Sequence, residues 1–251
     1  LGKPEDRFDK ISDRVKNILT AVIPQRCTLK SVTMKDFAGL GHAMLFWGFS
    51  CFLVSYVIYI GLAEGLGLHS YIMGGAFEEY FSTLLDFAAL VVIFSLVWGA
   101  IRRFVLKPER LEVTGEAAVI LLIVFALMAF HLLTEGFLLA AEGKTSGLPP
   151  VSTSIASFIA GTGMDKGAMT TASHVFWWLH YIVLLGFTAY IPRSKHLHVF
   201  ASGPNVFFKS LDTKVVLDEI SLEALESEEP PELGISKIQD LKWKDILDVY
   251  A

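Results

Sequence analysis

Two long stretches of this chain contain no charged residue. Residues 37–63 form one stretch of 27, and residues 167–192 form another of 26. About 20 consecutive, mostly apolar residues are enough for an α-helix to cross the hydrocarbon core of a bilayer. Since 53% of the 251 residues are hydrophobic and only 19% are charged, the sequence predicts an integral membrane protein and excludes a soluble enzyme.

Charge and cysteine content exclude two further classes. A net charge of −5 leaves no basic surface for DNA or RNA, so we expect no nucleic-acid partner. Cys27 and Cys51 are too few for a disulfide framework or for the ligands of an iron–sulfur cluster. The chain begins at Leu1 rather than methionine, and we expect further sequence at both ends.

Four segments are predicted to be transmembrane helices. They combine apolar runs with internal glycines and terminal aromatic residues, whereas the strands of a membrane barrel would alternate apolar and polar residues. The predicted fold is therefore an all-α bundle of four transmembrane helices with a cytoplasmic C-terminal tail. The four segments are residues 37–63, 80–101, 117–141 and 171–191.

The distribution of lysine and arginine orients these helices. All but two of the 21 basic residues lie before the first span, in the loop after the second span, or beyond the fourth. Cytoplasmic loops carry an excess of these residues. Lys144 and Lys166, in the other two loops, are the exceptions. The sequence therefore predicts a protein of the cytoplasmic (inner) membrane, with both visible termini and the 102–116 loop in the cytoplasm.

The two ends of the chain differ in character. Within residues 4–23, apolar residues recur at helical spacing, which predicts an amphipathic helix on the cytoplasmic surface or on a partner. The 211–251 tail carries eleven acids and four lysines. Apolar residues return after the linker-like 221–234 stretch, as at the start of a further domain. We therefore divide the chain into a segment 1–36, a membrane domain 37–200 and a tail 201–251.

Two histidines near the C-terminal end of the membrane domain are separated by eighteen residues. His180 and His198 would project from one face of a continuous helix, since eighteen residues make five whole turns, and would lie ~27 Å apart along it. This spacing is typical of a helix that supplies one axial ligand to each of two stacked haems. Pro192 lies between them and could bend the helix.

Depth in the membrane suggests a partner for each of these histidines. His42 begins the first span at the level of His198. His131 lies ~21 Å from the cytoplasmic end of the third span, and His180 lies ~14 Å from the outer end of the fourth, so their depths agree. Two bis-histidine pairs follow as a hypothesis: His42 with His198, and His131 with His180. His174 remains a rival outer ligand or a quinone-site residue.

The residues around these histidines resemble a known family. They are similar to the gamma subunit of respiratory nitrate reductase, a di-haem cytochrome b. They more specifically resemble the membrane domain of heterodisulfide-reductase-like iron–sulfur oxidoreductases, including the electron-transfer flavoprotein:menaquinone type. The resemblance rests on DRF at 6–8, GH at 41–42, KPERL at 107–111, HVFWWLH at 174–180, IPRSKHLH at 191–198 and GPNVFF at 203–208.

The resemblance implies a cofactor set and partners. It carries His42, His180 and His198 over as ligands of b-type haems, with menaquinone as substrate. It also implies one further N-terminal helix, and iron–sulfur clusters in missing or partner sequence. The nitrate reductase subunit takes both partner ligands from one helix, ten residues apart, but ten residues after His42 stands Phe52. We therefore expect His131 as the remaining ligand, and a single haem if it does not ligate.

The resulting hypothesis is a b-type cytochrome module. It would relay electrons between a cytoplasmic iron–sulfur or flavoprotein partner and menaquinone, as part of a quinone-linked oxidoreductase. Quinone chemistry also needs proton exchange, for which Glu135, one turn from His131, and His174 are the candidates. A structural acid, hydrogen-bonded to a neighbouring helix, is an equally open interpretation of Glu135. Two other functions compete: a haem-free membrane anchor for a redox complex, and a transporter whose histidines relay protons.

Overall fold

The computed structural model describes residues 6–33, 36–108, 114–209, 211 and 243–244, and these residues are largely helical. Some helices continue into π-helical or 3-10 turns. In chain order the helices are α1 Ile11–Asn17, continued by Ile18–Val22; α2 Arg26–Lys30; α3 Ala38–Tyr56, continued by Val57–Gly65; α4 His69–Ile72; α5 Ala76–Ala100, continued by Ile101–Leu106; α6 Gly115–Ala141; α7 Pro150–Gly161; α8 Lys166–Tyr190, continued by Ile191–Arg193; a 3-10 turn Lys195–Leu197; and α9 His198–Phe207.

Four of these helices are long and apolar enough to cross a membrane, which confirms the predicted fold class. The first helix begins one residue after its predicted span, and the other three contain theirs. Where the remaining ends differ, the helix extends beyond the predicted span by two to five residues. Two of the four helices have an N-terminal side-chain cap. The Thr114 hydroxyl accepts from Ala117 N at 3.4 Å at the start of α6, and the Asp165 carboxylate accepts from Ala168 N at 3.1 Å at the start of α8. The four membrane-crossing helices are Ala38–Gly65, Ala76–Leu106, Gly115–Ala141 and Lys166–Arg193.

Helices α6 and α8 pack against each other in antiparallel directions. Ser173 donates a hydrogen bond to the Thr134 carbonyl at 3.0 Å, and seven residues further along α8 the His180 ring bonds to the Leu127 carbonyl, also at 3.0 Å. Because Leu127 lies seven residues before Thr134, the two bonds fix the register of the pair. This register places the middle of α8 beside the middle of α6.

Helix α7 is a short helix that sequence analysis did not predict. Its 12 residues span ~18 Å, which is less than the ~30 Å hydrocarbon core. It packs against the end of α6, where Gly136 allows a close approach: a Cβ on this glycine would lie 2.5 Å from Ile155 Cγ2. The chain between α6 and α8 is therefore a structured helical segment rather than an open loop.

The N-terminus of α7 is held by an acid from α5. Asp86 is 1% exposed and accepts three hydrogen bonds: from Val151 N at 2.9 Å, Ser152 N at 2.9 Å and Ser152 Oγ at 2.6 Å. The first backbone N–H groups of a helix have no partner within the helix and carry partial positive charge. The carboxylate therefore satisfies donors that would otherwise be left bare in apolar surroundings.

The continuous helix expected from His180 to His198 is wrong. Helix α8 ends at Tyr190, a 3-10 turn follows over Ile191–Arg193, and Ser194 is extended at φ −113° and ψ 165°. The cause is Pro192, whose ring and missing N–H cannot continue a helix. The same-face argument and the ~27 Å axial distance therefore do not apply to these two histidines.

The chain divides into two compact units, Cys27–Ser194 and a unit of Leu1–Arg26 with Lys195–Ala251. In the second unit, α1 lies beside α9. Arg14, which is 2% exposed, donates to the Phe207 carbonyl at 2.9 Å and to the Lys209 carbonyl at 3.0 Å. The helical part of the 4–23 prediction is thus confirmed for α1, whereas most of the predicted 201–251 tail lies outside the described residues.

Candidate functional site

The first unit brings two of the predicted ligands together. His131 on α6 and His180 on α8 have ring centroids 6.5 Å apart, with an angle of 56° between the ring planes. The antiparallel register of these helices puts the two rings within one turn of each other. The depth comparison predicted this proximity, and the ligand role of the two rings stays a prediction.

The hydrogen bonds of His180 fix its tautomer. Its Nδ1 lies 3.0 Å from the Leu127 carbonyl, which can only accept, so Nδ1 carries the proton. Its Nε2 then accepts from the Tyr56 hydroxyl on α3, at 2.7 Å. Metal-binding histidines almost always donate their second ring N–H to a carbonyl or carboxylate. Leu127 therefore orients His180 to present Nε2 as the basic atom.

The His131 ring has a different environment. It makes an edge-to-face contact with Phe52 on α3, with ring centroids 5.0 Å apart and an interplanar angle of 83°. Among the described residues it has no hydrogen-bond partner. Phe52 is the residue ten positions after His42, and His131 therefore lies next to the position considered in the sequence analysis.

The two rings are neighbours, with ring centroids 6.5 Å apart, but both nitrogens of His180 already have hydrogen-bond partners, Leu127 and Tyr56. A metal lies ~2 Å from an imidazole nitrogen, so a metal bound to His180 Nε2 would have to replace the bond to Tyr56. A larger cluster is not formed, since the described residues hold no group of three histidine, cysteine or acidic side chains placed for a metal.

The remaining histidines lie elsewhere. His42 is exposed at the start of α3 in the first unit, and His198 is exposed at the start of α9 in the second unit, so their pairing stays a prediction. His174 is exposed on α8, six residues before His180. His69 forms an exposed ion pair with Glu64 at 2.9 Å, as expected for a surface residue.

A small pocket lies beside Gly41, the neighbour of His42. It has a volume of about 250 Å³ and an almost wholly apolar lining between α3 and α5. Sites for drug-sized ligands have volumes of ~300–1,000 Å³, so this pocket is too small for a haem. The pocket therefore does not add support to the inner pair.

Glu135 lies on α6 one turn after His131. Its side chain is half-buried and makes no hydrogen bond to any described residue. The groups that act on it electrostatically are all acidic: Asp86, Glu78 and Glu142. The structural alternative, an acid bonded to a neighbouring helix, describes Asp86 rather than Glu135.

Two polar residues that were not predicted as site residues form hydrogen bonds to another helix. Tyr56 is the partner of His180, and Asp86 is the partner of α7. A lone acid within an apolar span was a visible signal for Asp86, because such residues are costly and usually have a named partner. Nothing in the sequence marked Tyr56, whose role depends on the rotation of α3.

Comparison with known proteins gives two relatives. The chain is 30% identical over 254 residues to the "Probable iron-sulfur-binding oxidoreductase FadF" of Bacillus subtilis (strain 168), covering 100% of this chain and 34% of that protein. It is 29% identical over 266 residues to the "EtfAB:quinone oxidoreductase" of Syntrophomonas wolfei subsp. wolfei, covering 99% of this chain and 35% of that protein. No family model and no solved structure matches. The chain therefore spans about a third of the length of curated relatives that are named as oxidoreductases.

Proposed function

We propose that this chain is the membrane-embedded electron-transfer portion of a quinone-linked oxidoreductase. In this proposal, His131 on α6 and His180 on α8 would hold a b-type haem. The single observation that carries the proposal is the pair of histidine rings 6.5 Å apart, on two helices long and apolar enough to cross a membrane. A bound haem supplies one-electron chemistry at a potential set by its ligands and surroundings.

Three features of the chain support this role. The Leu127 carbonyl accepts from Nδ1 of His180, which leaves Nε2 as the nitrogen that would bind a metal once its bond to Tyr56 is replaced. The apolar ring of Phe52 covers His131 and keeps water from it. Glu135 has no hydrogen-bond partner among the described residues, and its carboxylate can take up or release a proton one turn from the ligand.

The partners follow from the names of the relatives. One is named as iron-sulfur-binding and the other as EtfAB:quinone oxidoreductase. We therefore propose that electrons pass between a cytoplasmic iron–sulfur domain or subunit and menaquinone in the inner membrane. In this proposal, electron-transfer flavoprotein is the partner that contacts the iron–sulfur domain or subunit. The excess of lysine and arginine near both visible termini supports a cytoplasmic position for them. His42 and His198 remain the proposed ligands of a second haem, and His174 a proposed quinone-site residue.

The test is a dithionite-reduced minus oxidised visible spectrum of the purified protein, with a pyridine haemochrome count. We expect at least one b-type haem per chain, and His131→Ala and His180→Ala should each lose the same one. His69→Ala is the control, since it removes an exposed histidine that pairs with Glu64 and has no proposed role in haem binding. Two haems, one of them lost in His42→Ala and in His198→Ala, would support the inner pair as well.

A different result would redirect the proposal. If His131→Ala keeps every haem while His180→Ala loses one, then His131 is not a ligand. If a well-folded preparation contains no haem, the haem-free anchor and the transporter remain as candidates. One observation favours the anchor: both nitrogens of His180 are already hydrogen-bonded, to Leu127 and Tyr56, as in a structural histidine.

A further inference from the structure

The second unit carries an apolar stripe that no described residue covers. Helix α1 and its π-helical continuation present apolar side chains at every fourth position, with exposures between 42% and 58%. We refer to these residues as the α1 stripe. Its members are Ile11, Val15, Leu19 and Ile23.

The α1 stripe is not the side of α1 that packs against α9. Arg14 lies on that packed side, since its guanidinium donates to the Phe207 and Lys209 carbonyls at 2.9 and 3.0 Å. Phe8 and Phe208 close the same contact, with ring centroids 5.3 Å apart. The two helices are thus fastened together through one side of α1 while the stripe remains exposed.

The other exposed side of α1 is polar. Lys16 and Thr20 are exposed there, and on a helix they lie about 100° of rotation from the neighbouring stripe residues Val15 and Leu19. A helix with one apolar side and one polar side is typical of a segment that lies in the plane of a membrane interface. Two further apolar residues are exposed in the C-terminal part of the unit: Leu197, at the end of the 3-10 turn, at 48%, and Phe200 on α9 at 51%.

The chain connection identifies the surface that such a segment meets. Only Ser194 separates Lys166–Arg193, the fourth membrane-crossing helix, from Lys195, the first residue of the C-terminal part of the second unit. The unit is therefore joined without a linker to a helix end at the membrane surface. Lys10, which precedes α1, and Lys16 are exposed together with Asp13, so the contact of this segment with a membrane would rest mainly on its apolar residues.

We propose that α1 and α9 form an interfacial helix pair that lies in the headgroup layer, with the α1 stripe inserted among the acyl chains. The occupant of the stripe is lipid. This surface is distinct from the histidine site, and the proposal does not depend on the presence of haem. In this proposal, the helix pair would hold the chain that follows Arg193 along the membrane surface.

The test uses the full chain in vesicles of phosphatidylcholine and phosphatidylglycerol. Cys27→Ser and Cys51→Ala give a cysteine-free background, into which Leu19→Cys or Thr20→Cys is introduced for labelling with an environment-sensitive NBD fluorophore. Leu19 is in the stripe and Thr20 is its exposed polar neighbour, so the pair is matched. Val15→Cys provides a second stripe position should labelling at Leu19 disturb folding.

We expect the label at position 19 to emit at shorter wavelength than the label at position 20. We also expect acyl-chain spin-labelled lipids to quench the label at 19 severalfold more strongly than the label at 20. Equal, water-like emission at both positions would overturn the proposal. A blue shift at 19 without quenching by the spin-labelled lipids would also overturn it, because the stripe would then face protein rather than lipid.

Discussion

Two polar regions of the membrane helices contrast sharply. Around Asp86 every polar group is satisfied, because one carboxylate accepts from two backbone N–H groups and one hydroxyl of α7. Around His131 and Glu135, neither side chain has a hydrogen-bond partner among the described residues. A satisfied buried acid stabilises a fold, whereas unpaired polar groups at comparable depth cost stability and are typical of functional sites. The difference separates the structural acid from the candidate for chemistry.

The largest expected effect on stability is that of Asp86→Ala. The substitution leaves the Val151 and Ser152 N–H groups and the Ser152 hydroxyl without an acceptor, and each buried unsatisfied group costs ~1–3 kcal/mol. We expect unfolding in detergent to occur at a markedly lower temperature, with α7 detached from α5. The measurement is thermal unfolding followed by tryptophan fluorescence. An unchanged midpoint would show that the Asp86 contact does not hold α7.

A smaller loss is expected where α7 meets α6. In Gly136→Ala the new Cβ would lie 2.5 Å from Ile155 Cγ2 and 3.0 Å from Ile155 Cβ, and overpacking of this kind typically costs ~1–3 kcal/mol. Gly186→Ala on α8 is the control, because nothing lies within 4 Å of its built Cβ. The double variant Gly136→Ala with Ile155→Ala should recover part of the loss by making room. Equal midpoints for the two single variants would contradict the close approach.

Glu135→Gln should lower quinone turnover and leave the stability of the protein nearly unchanged. Since the carboxylate has no bond to lose among the described residues, we expect stability to change by no more than ~0.5 kcal/mol. A residue that transfers protons contributes ~10²–10⁴-fold to a rate, so quinone turnover should fall by at least tenfold while the haem spectrum stays intact. Turnover is measured by quinol oxidation or quinone reduction in vesicles. Unchanged turnover would remove Glu135 from the site.

The smallest effect concerns the ion pair in the second unit between the buried Arg14 and the exposed Asp9. The hydrogen bond from the Arg14 guanidinium to Asp9 lowers the pKa of the Asp9 carboxyl. The stability from this pair is therefore present above the unfolded pKa of Asp9 and is lost as the pH falls through the lower, folded pKa. Asp9→Asn should be slightly less stable than the parent at neutral pH, and the difference should vanish in acid. The measurement is the thermal unfolding midpoint of Asp9→Asn and of the parent, followed from neutral to acid pH. Asp13→Asn, in the first turn of α1, is the control.

Sequence predicted the features that depend on composition along one helix. The four spans followed from apolar length alone, and the proximity of His131 and His180 followed from their depths. Features that depend on helix rotation or on contacts between distant segments were not accessible. Tyr56 meets His180 across 124 positions, and Asp86 meets Ser152 across 66. Helix α7 was missed because its 12 residues are too few for a span, and its serines and threonine obscure the apolar pattern.

The contact between Asp86 and α7 also has a consequence for biosynthesis. The ribosome makes α5 before α7, so the second span enters the bilayer while its acid still lacks the helix that caps it. An aspartate at the centre of a membrane helix adds ~2.5–3.5 kcal/mol to the free energy of insertion. Asp86 lies nearer the start of its helix, Ala76–Leu106, so its cost is below that value and is offset by the strongly apolar remainder of the helix. The acid can meet its partner only after α6 has followed. Folding of α7 onto α5 is then a late step of assembly, and a nascent chain ending at Ala141 would carry an exposed acid within the membrane.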